Sequence, residues 1–270
     1  MSKPISRRAL GGLALAGIAA AALPRPSFGQ TARTLRIGVT AGPHAQILEA
    51  AAKVAKRDAL EIRIVEFSDY IQPNAALAQG DLDANSYQHQ PFLDQQVKDR
   101  GYKIVSIAQT VVFPIGVYSR KYKTLADLPA GAKLALPNDP TNGGRVLLLL
   151  QRDGLIKLRP DAGLRATPVD VVENPKKLRL IELDAAQLPR SLDDVDAAAI
   201  NTNFAIQAGL SPNRDAVTIE SAESPYANVI AVRERDRDQP VFQVLVRAYR
   251  SPEVKAFIQE EFKGSIIPTW

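Results

Sequence analysis

The chain has no cysteine, one tryptophan, and a single methionine, its first residue. Without thiols there is no disulfide framework and no thiol nucleophile, so the fold must be held by its apolar core. A lipid on an N-terminal cysteine is not expected either. Histidine is nearly as scarce, with only His44 and His89, 45 positions apart. Zinc sites draw on three or four ligands, commonly several histidines, so no metal is expected. There is no Gly-x-Ser-x-Gly elbow, and the pair Gly143-Gly144 is not followed by Lys-Ser/Thr. Serine hydrolysis and phosphate-loop nucleotide chemistry therefore have no support, and no cofactor is expected.

A strong charge excess is also missing. The chain carries 34 Lys and Arg against 29 Asp and Glu, a formal +5. Lys3, Arg7, Arg8 and Arg25 fall in residues 1–29, which leaves 30 basic against 29 acidic residues in the remainder. Net charge then gives no case for nucleic acid. Residues 1–29 read as an export signal. Basic residues precede the apolar run Leu10–Leu23, too short to span a bilayer comfortably, and Ser27-Phe28-Gly29 offers a cleavage site. Arg7-Arg8 after Ser6 resembles a twin-arginine signal, only partly matched by Ala9-Leu10-Gly11. A general secretory signal and a retained N-terminal anchor are the alternatives. With no cysteine to carry lipid, the expectation is a periplasmic protein, freely soluble after signal cleavage.

What is present from Thr34 onward is an alternation of strand-like and helix-like segments. Leu35–Thr40, Leu60–Phe67, Leu82–Asn85 and Tyr102–Val112 read as strands. Ala45–Lys56, Asn74–Gln79 and Pro91–Arg100 read as helices between them. The second half continues with strands at Ile115–Tyr118, Lys133–Leu136, Leu178–Leu183, Ala197–Ile200, Val217–Glu220 and Val229–Val232. Its helices are expected at Gly144–Asp153, Gln187–Asp193, Asn203–Ala208, Pro240–Tyr249 and Pro252–Phe262. This alternation predicts an α/β chain with mainly parallel sheets flanked by helices. Many short strands argue for two small sheets rather than one large one. Phe113-Pro114 and Ser224-Pro225 interrupt strand-like sequence and read as two crossings between lobes. Lobe 1 would comprise 34–113 and 226–270, and lobe 2 residues 114–225, with a ligand between them at the carboxyl ends of strands.

Ala135–Leu150, ALPNDPTNGGRVLLLL, is the densest local signal. It reads as a strand end, a polar loop and a helix start, with Gly143 and Gly144 allowing a ligand close to the backbone and Arg145 directly after. Free N–H groups at a helix start beside a guanidinium suit a carboxylate. An ordinary capped helix with a surface arginine is the alternative. Ser68-Asp69-Tyr70, Asn85 to Phe92, Asn201-Thr202-Asn203 and Ser224 to Asn228 collect amides and rings at other strand ends. Together they offer one cation, several amides and aromatic walls, an inventory that suits a zwitterion with an apolar tail. Any single Asn, taken alone, reads as a turn or helix cap.

DANSYQHQPFLDQQ, ALPNDPTNGGRVLLLLQ, VVENPKKLRLIELDAAQLPRSLDD, AAINTNFAIQAGL and ESPYANVI resemble the methionine-binding NlpA/MetQ family, from about Leu35 to Trp270. The resemblance implies the two-lobed periplasmic binding protein fold (type II-like) with two interlobe crossings. It implies a non-enzymatic receptor that binds methionine and delivers it to an inner-membrane ABC permease with its cytoplasmic ATPase, acting as a monomer. By resemblance, Arg145 clamps the carboxylate, Asn201 and Asn228 hold the polar end, and Tyr70, Tyr87, His89 and Phe92 line the thioether pocket. The missing lipobox cysteine departs from the family pattern. A receptor for another apolar amino acid or a methionine-containing dipeptide, and a dehydratase or lyase on the same fold, are the alternatives.

Overall fold

The computed structural model describes Met1 and residues 33–270; the export signal expected over residues 1–29 lies, Met1 apart, outside the described residues. Chain order in the first stretch is β1 (Arg33–Thr40), α1 (Pro43–Ala55), β2 (Leu60–Phe67), α2 (Gln72–Gln79), β3 (Ala84–His89), α3 (Gln90–Arg100) and β4 (Ile104–Val112). The turn from β1 into α1 runs through Gly42 at φ 77°, a left-handed conformation that favours glycine, with Pro43 in the first helical turn.

A second set follows the crossing at 113–115: β5 (Gly116–Tyr118), β6 (Lys133–Pro137), α4 (Pro140–Arg152), β7 (Lys157–Leu158), β8 (Val171–Glu173), β9 (Arg179–Leu183), α5 (Leu188–Ser191), β10 (Ala197–Ile200), α6 (Thr202–Gln207), α7 (Pro212–Asp215) and β11 (Ala216–Ile219). Through 220–226 the chain returns to add β12 (Ala227–Arg233), α8 (Pro240–Tyr249), α9 (Pro252–Phe262) and β13 (Ile267–Pro268).

These strands form a six-stranded sheet, β13-β4-β12-β3-β1-β2, and a five-stranded sheet, β11-β5-β10-β6-β9, with β7 and β8 paired apart. The first sheet is built from residues on both sides of the second, so the second is an insertion. Each sheet is mixed. β1 lies parallel to β2 and β3, and β6 parallel to β9 and β10. β12 is antiparallel to β3 and β4, and β5 antiparallel to β10 and β11. The antiparallel strands β5 and β12 are those on which the chain enters a sheet from a crossing, and hydrophobic periodicity carries no information about that direction.

Helices cover both faces of each sheet. Ile37, Ile47, Leu245 and Ile258 seal the first sheet under α1, α8 and α9, while Leu77, Leu82 and Leu93 fill its other face under α2 and α3. Leu134, Leu147 and Leu150 lie under α4 on the second sheet, with Leu188, Ala198 and Phe204 on the opposite side. Each fully buried Leu or Ile contributes about 1.5–3 kcal/mol relative to its exposed state, and these four layers hold the carboxyl ends of β3, β6 and β10 in place.

β3 departs most from the sequence expectation. Leu82–Asn85 reads as the strand and the polar run after it as a loop, yet the strand is Ala84–His89, buried throughout. Polar side chains are tolerated there because they satisfy one another. Asn74 Nδ2 donates to Gln88 Oε1 at 2.7 Å, and Gln88 Nε2 donates to Asn74 Oδ1 at 2.7 Å and to Asn85 Oδ1 at 3.0 Å. Asn85 Nδ2 closes the set on Asn74 Oδ1 at 2.9 Å. Asn85 and Gln88 are three apart, so strict alternation would place them on opposite faces. The register with β12 shifts between Asn85–Ala231 and Gln88–Val229, and this extra β3 residue brings both amides to Asn74.

Candidate functional site

The ends of β3, β6 and β10 and the start of β12 surround one cavity. Tyr70, Tyr87, His89 and Phe92 border it from the first sheet's side, together with Asn228 on β12. Arg145 and Asn201 border it from the second sheet's side. The structure thus brings the seven sequence-nominated residues to one place. It adds His44 and Phe113, and it brings in Gln88, Asn142 and Asn203, which lie in the stretches singled out from sequence but have no individual role there. Asn142 and Asn203 lie in first helical turns, where an amide reads as a cap, and His44 lies on the buried face of α1, where it reads as core.

The aromatic end is an interlocked set. Tyr70 and Phe92 meet edge to face at 6.0 Å, Tyr87 and Phe92 at 6.3 Å, and Tyr70 leans on Phe204 of α6 at 5.1 Å. Such ring pairs stabilise each other by about 0.5–1.5 kcal/mol beyond burial and fix the shape of the wall. Burial raises the phenol pKa values of Tyr70 and Tyr87, so both stay neutral. Tyr87 Oη donates to Tyr70 O at 3.0 Å, and Tyr70 Oη donates to Asn203 Oδ1 at 2.6 Å across to α6.

The polar end is oriented by a relay that begins at a helix cap. Asp139 caps α4, accepting from Asn142 N at 2.9 Å and from Asn142 Nδ2 at 2.9 Å. With its amine so engaged, the Asn142 amide turns Oδ1 inward, where it accepts from Asn201 Nδ2 at 2.9 Å. Asn201 Oδ1 is then a buried acceptor with no partner among the described residues, on a side chain that borders the cavity. By the same logic Tyr70 occupies Asn203 Oδ1 and leaves Asn203 Nδ2 as a buried donor with no partner among the described residues. A buried amide group left unpaired costs about 1–3 kcal/mol, so these atoms mark where a ligand's polar groups fit.

His89 caps α3: its Nδ1 accepts from Phe92 N at 3.1 Å. That assigns the proton to Nε2, which donates to Asn142 Oδ1 at 3.1 Å. Burial, with the Arg145 charge adding to it, pushes the His89 pKa down to about 3, and burial does the same to His44, also to about 3. Both imidazoles are therefore neutral. His44 stacks on Phe113 at 4.3 Å, and its Nδ1 has no partner among the described residues.

Arg145, in the second turn of α4, is 4 % exposed, which removes the surface-arginine alternative. Its Nε donates to Glu220 at 2.9 and 3.1 Å, and its Nη2 to Glu220 and to Phe113 O, the latter at 2.8 Å. Its guanidinium carbon lies 4.4 Å from the Tyr226 ring centre, a cation–π contact. Nη1 alone makes no hydrogen bond among the described residues. The glycines beside it serve packing rather than ligand approach. A Cβ on Gly144 would collide with Leu164 O and lie 2.9 Å from Ala166 N, and one on Gly143 would lie 2.9 Å from Pro137 O. Among the described residues no group of three His, Cys, Asp or Glu side chains could hold a metal.

Comparison with known proteins gives this geometry a lineage. The sequence profile of the NlpA lipoprotein family matches residues 35–270. The chain belongs to the NlpA lipoprotein family. The D-methionine-binding lipoprotein MetQ of Escherichia coli (strain K12) is 50% identical over 239 residues, 87% of this chain and 88% of the relative. A nutrient-binding protein from Burkholderia cenocepacia, solved bound to methionine, is 59% identical, with a TM-score of 0.86 over 87% of this chain and 100% of that one. A periplasmic substrate-binding protein of an ABC transporter from Coxiella burnetii is 52% identical, with a TM-score of 0.85 over 87% of this chain and 100% of that one.

Kinship with NlpA lipoproteins also corrects one expectation. A freely soluble periplasmic protein was expected because the chain has no cysteine. The family and the relative from Escherichia coli are both named as lipoproteins, a class held at a membrane by covalent lipid, which overturns that expectation. Among the described residues no helix is long and apolar enough to cross a membrane.

Proposed function

We propose that the chain is the extracytoplasmic solute-binding component of an ABC importer, holding methionine between two lobes and presenting it to an inner-membrane permease driven by a cytoplasmic ATPase. The observation that carries this reading is a cavity with one wholly aromatic end and one end of unpaired, oppositely polar atoms. Methionine has that distribution: a zwitterionic head and a thioether tail. The carboxylate is assigned to Arg145 Nη1 and Asn203 Nδ2, and the ammonium to Asn201 Oδ1, with Asn228 beside the same head group. The tail is assigned to Tyr70, Tyr87, His89 and Phe92, where sulfur against ring edges adds about 0.3–1.5 kcal/mol. The names of the relatives, which specify methionine and D-methionine, support this choice of ligand.

Lobe 1 is taken as 34–113 with 226–270, and lobe 2 as 114–225; the division of strands between the two sheets supports these limits. Closure of the lobes buries the ligand, and contacts across the cleft favour the closed form. They include Tyr70 to Asn203 at 2.6 Å, His89 to Asn142 at 3.1 Å and Arg165 Nη1 donating to Gln95 Oε1 at 2.8 Å. No bond is broken in the protein, in keeping with relatives named for binding, and it acts as a monomer. Denaturing the purified protein and weighing the released small molecules tests the reading. Methionine in near-equal proportion to protein is expected; a different amino acid as the dominant species overturns the ligand assignment.

A further inference from the structure

The cavity wall contains one formal charge, Arg145, since both histidines are neutral and the tyrosines stay protonated. A lone buried cation is best matched by an anion, because an uncompensated charge in a low-dielectric site attracts its opposite strongly. A wall of that kind favours an acid without an amino group over a zwitterion of the same shape. Glu220 changes that balance. Its carboxylate is not part of the wall; it approaches Arg145 from behind, with side-chain exposures of 14% and 3%.

The pair is fastened at the two crossings. Glu220 directly follows β11 where the chain turns back, and its Oε2 accepts from Ile115 N at 3.4 Å on the outgoing crossing. Phe113 O, on that same crossing, accepts from Arg145 Nη2 at 2.8 Å. Glu220 and Phe113 together take Nε and Nη2 and leave Nη1 without a partner among the described residues, on a side chain that borders the cavity. The other nearby carboxylate, Asp139, is turned to the start of α4, where Asn142 and Thr141 use its oxygens.

We propose that Glu220 is a positioning and specificity-determining residue: it neutralises Arg145 from outside the cavity, so that the site selects zwitterionic amino acids over anions carrying the same thioether tail. The inference rests on the methionine reading above. A purely structural Glu220 would affect all ligands alike, whereas a charge-balancing Glu220 sets the ratio between a zwitterion and an anion.

The test compares methionine with 2-hydroxy-4-(methylthio)butanoate, which keeps the carboxylate and tail and replaces the ammonium by a hydroxyl. Dissociation constants are measured by calorimetry on ligand-free parent, Glu220→Gln and Glu220→Asp. The parent is expected to prefer methionine. Glu220→Gln, which keeps the shape and removes the charge, is expected to move the ratio toward the hydroxy acid by at least about tenfold. Glu220→Asp, which keeps the charge, is expected to retain the parent's preference even where both affinities fall. Equal loss of both ligands in Glu220→Gln overturns the proposal. Should that variant fail to fold, loss of the preference in Glu220→Asp overturns it instead. A parent that binds neither compound fails at the methionine reading, and the proposal falls with it.

Discussion

Arg145→Ala is expected to weaken methionine binding by roughly 2–5 kcal/mol, the usual cost of removing one partner from a buried charged hydrogen-bond pair. Sequence alone suggests a variant of ordinary stability, but the structure adds a second consequence. Glu220, 14% exposed, loses its cation, and a stranded carboxylate costs about 1–3 kcal/mol or more of folding stability. Calorimetry and urea unfolding measure the two effects separately; parent-like affinity would place the carboxylate elsewhere. At the tail end, Phe92→Ala is expected to narrow the gap between methionine and leucine, because it opens the ring wall, while Asn228→Ala weakens both alike. Displacement of labelled methionine by each amino acid reads the difference, and a Phe92→Ala variant with undiminished selectivity would count against the ring pocket. Residues at strand ends were legible because rings and amides cluster there in the sequence. Asn142 and Asn203 were not, because their roles depend on which amide edge a distant neighbour occupies: Asp139 for the first, Tyr70 for the second.

Among the elements, the amide triad Asn74, Asn85 and Gln88 is where local pattern and fold disagree. Asn74→Ala is expected to cost roughly 1–3 kcal/mol, since Gln88 Oε1 loses its donor and Asn85 Nδ2 its shorter acceptor in a buried place. Thermal unfolding checks this, and a change within experimental error would mean that water takes over the bonds. Gly144→Ala is expected to destabilise as well, because α4 lies against the Leu164–Ala166 backbone with no room for a methyl group. α8, α9, β2 and β10 could be bounded from sequence to the residue, by proline or turn residues at one end and clear apolar spacing along their length. β3 could not, because its burial is bought by side-chain amides rather than apolar alternation. β7, β8 and β13 also escaped, being two or three residues long and defined only by their partners.

For the whole molecule, two neutral histidines at the cleft make stability depend on pH. Their pKa values are about 3 when folded, against about 6.5 in an unfolded chain. Below pH 6.5 the unfolded state takes up protons that the folded state refuses, so stability falls as pH falls, until about 3. The loss is on the order of 1 kcal/mol per pH unit for each histidine. Urea midpoints between pH 7 and 4.5, above the range where most carboxylates titrate, should decline steadily; a flat profile would mean that the imidazoles are charged or solvated. The two-sheet architecture was legible in the strand count and in Phe113-Pro114 and Ser224-Pro225, whereas the directions of β5 and β12 followed from the crossings and that of β13 from its pairing with β4. Ligand selectivity bears most directly on the central claim, that a cavity with one aromatic end and one end formed by Arg145 and unpaired amides holds methionine. Glutamine shares the head group and brings a buried amide to the ring wall, at a cost of about 1–3 kcal/mol. Calorimetric titration of ligand-free protein with each amino acid decides the matter: methionine is expected to bind at least about tenfold more tightly than glutamine, and equal affinity for the two would contradict it.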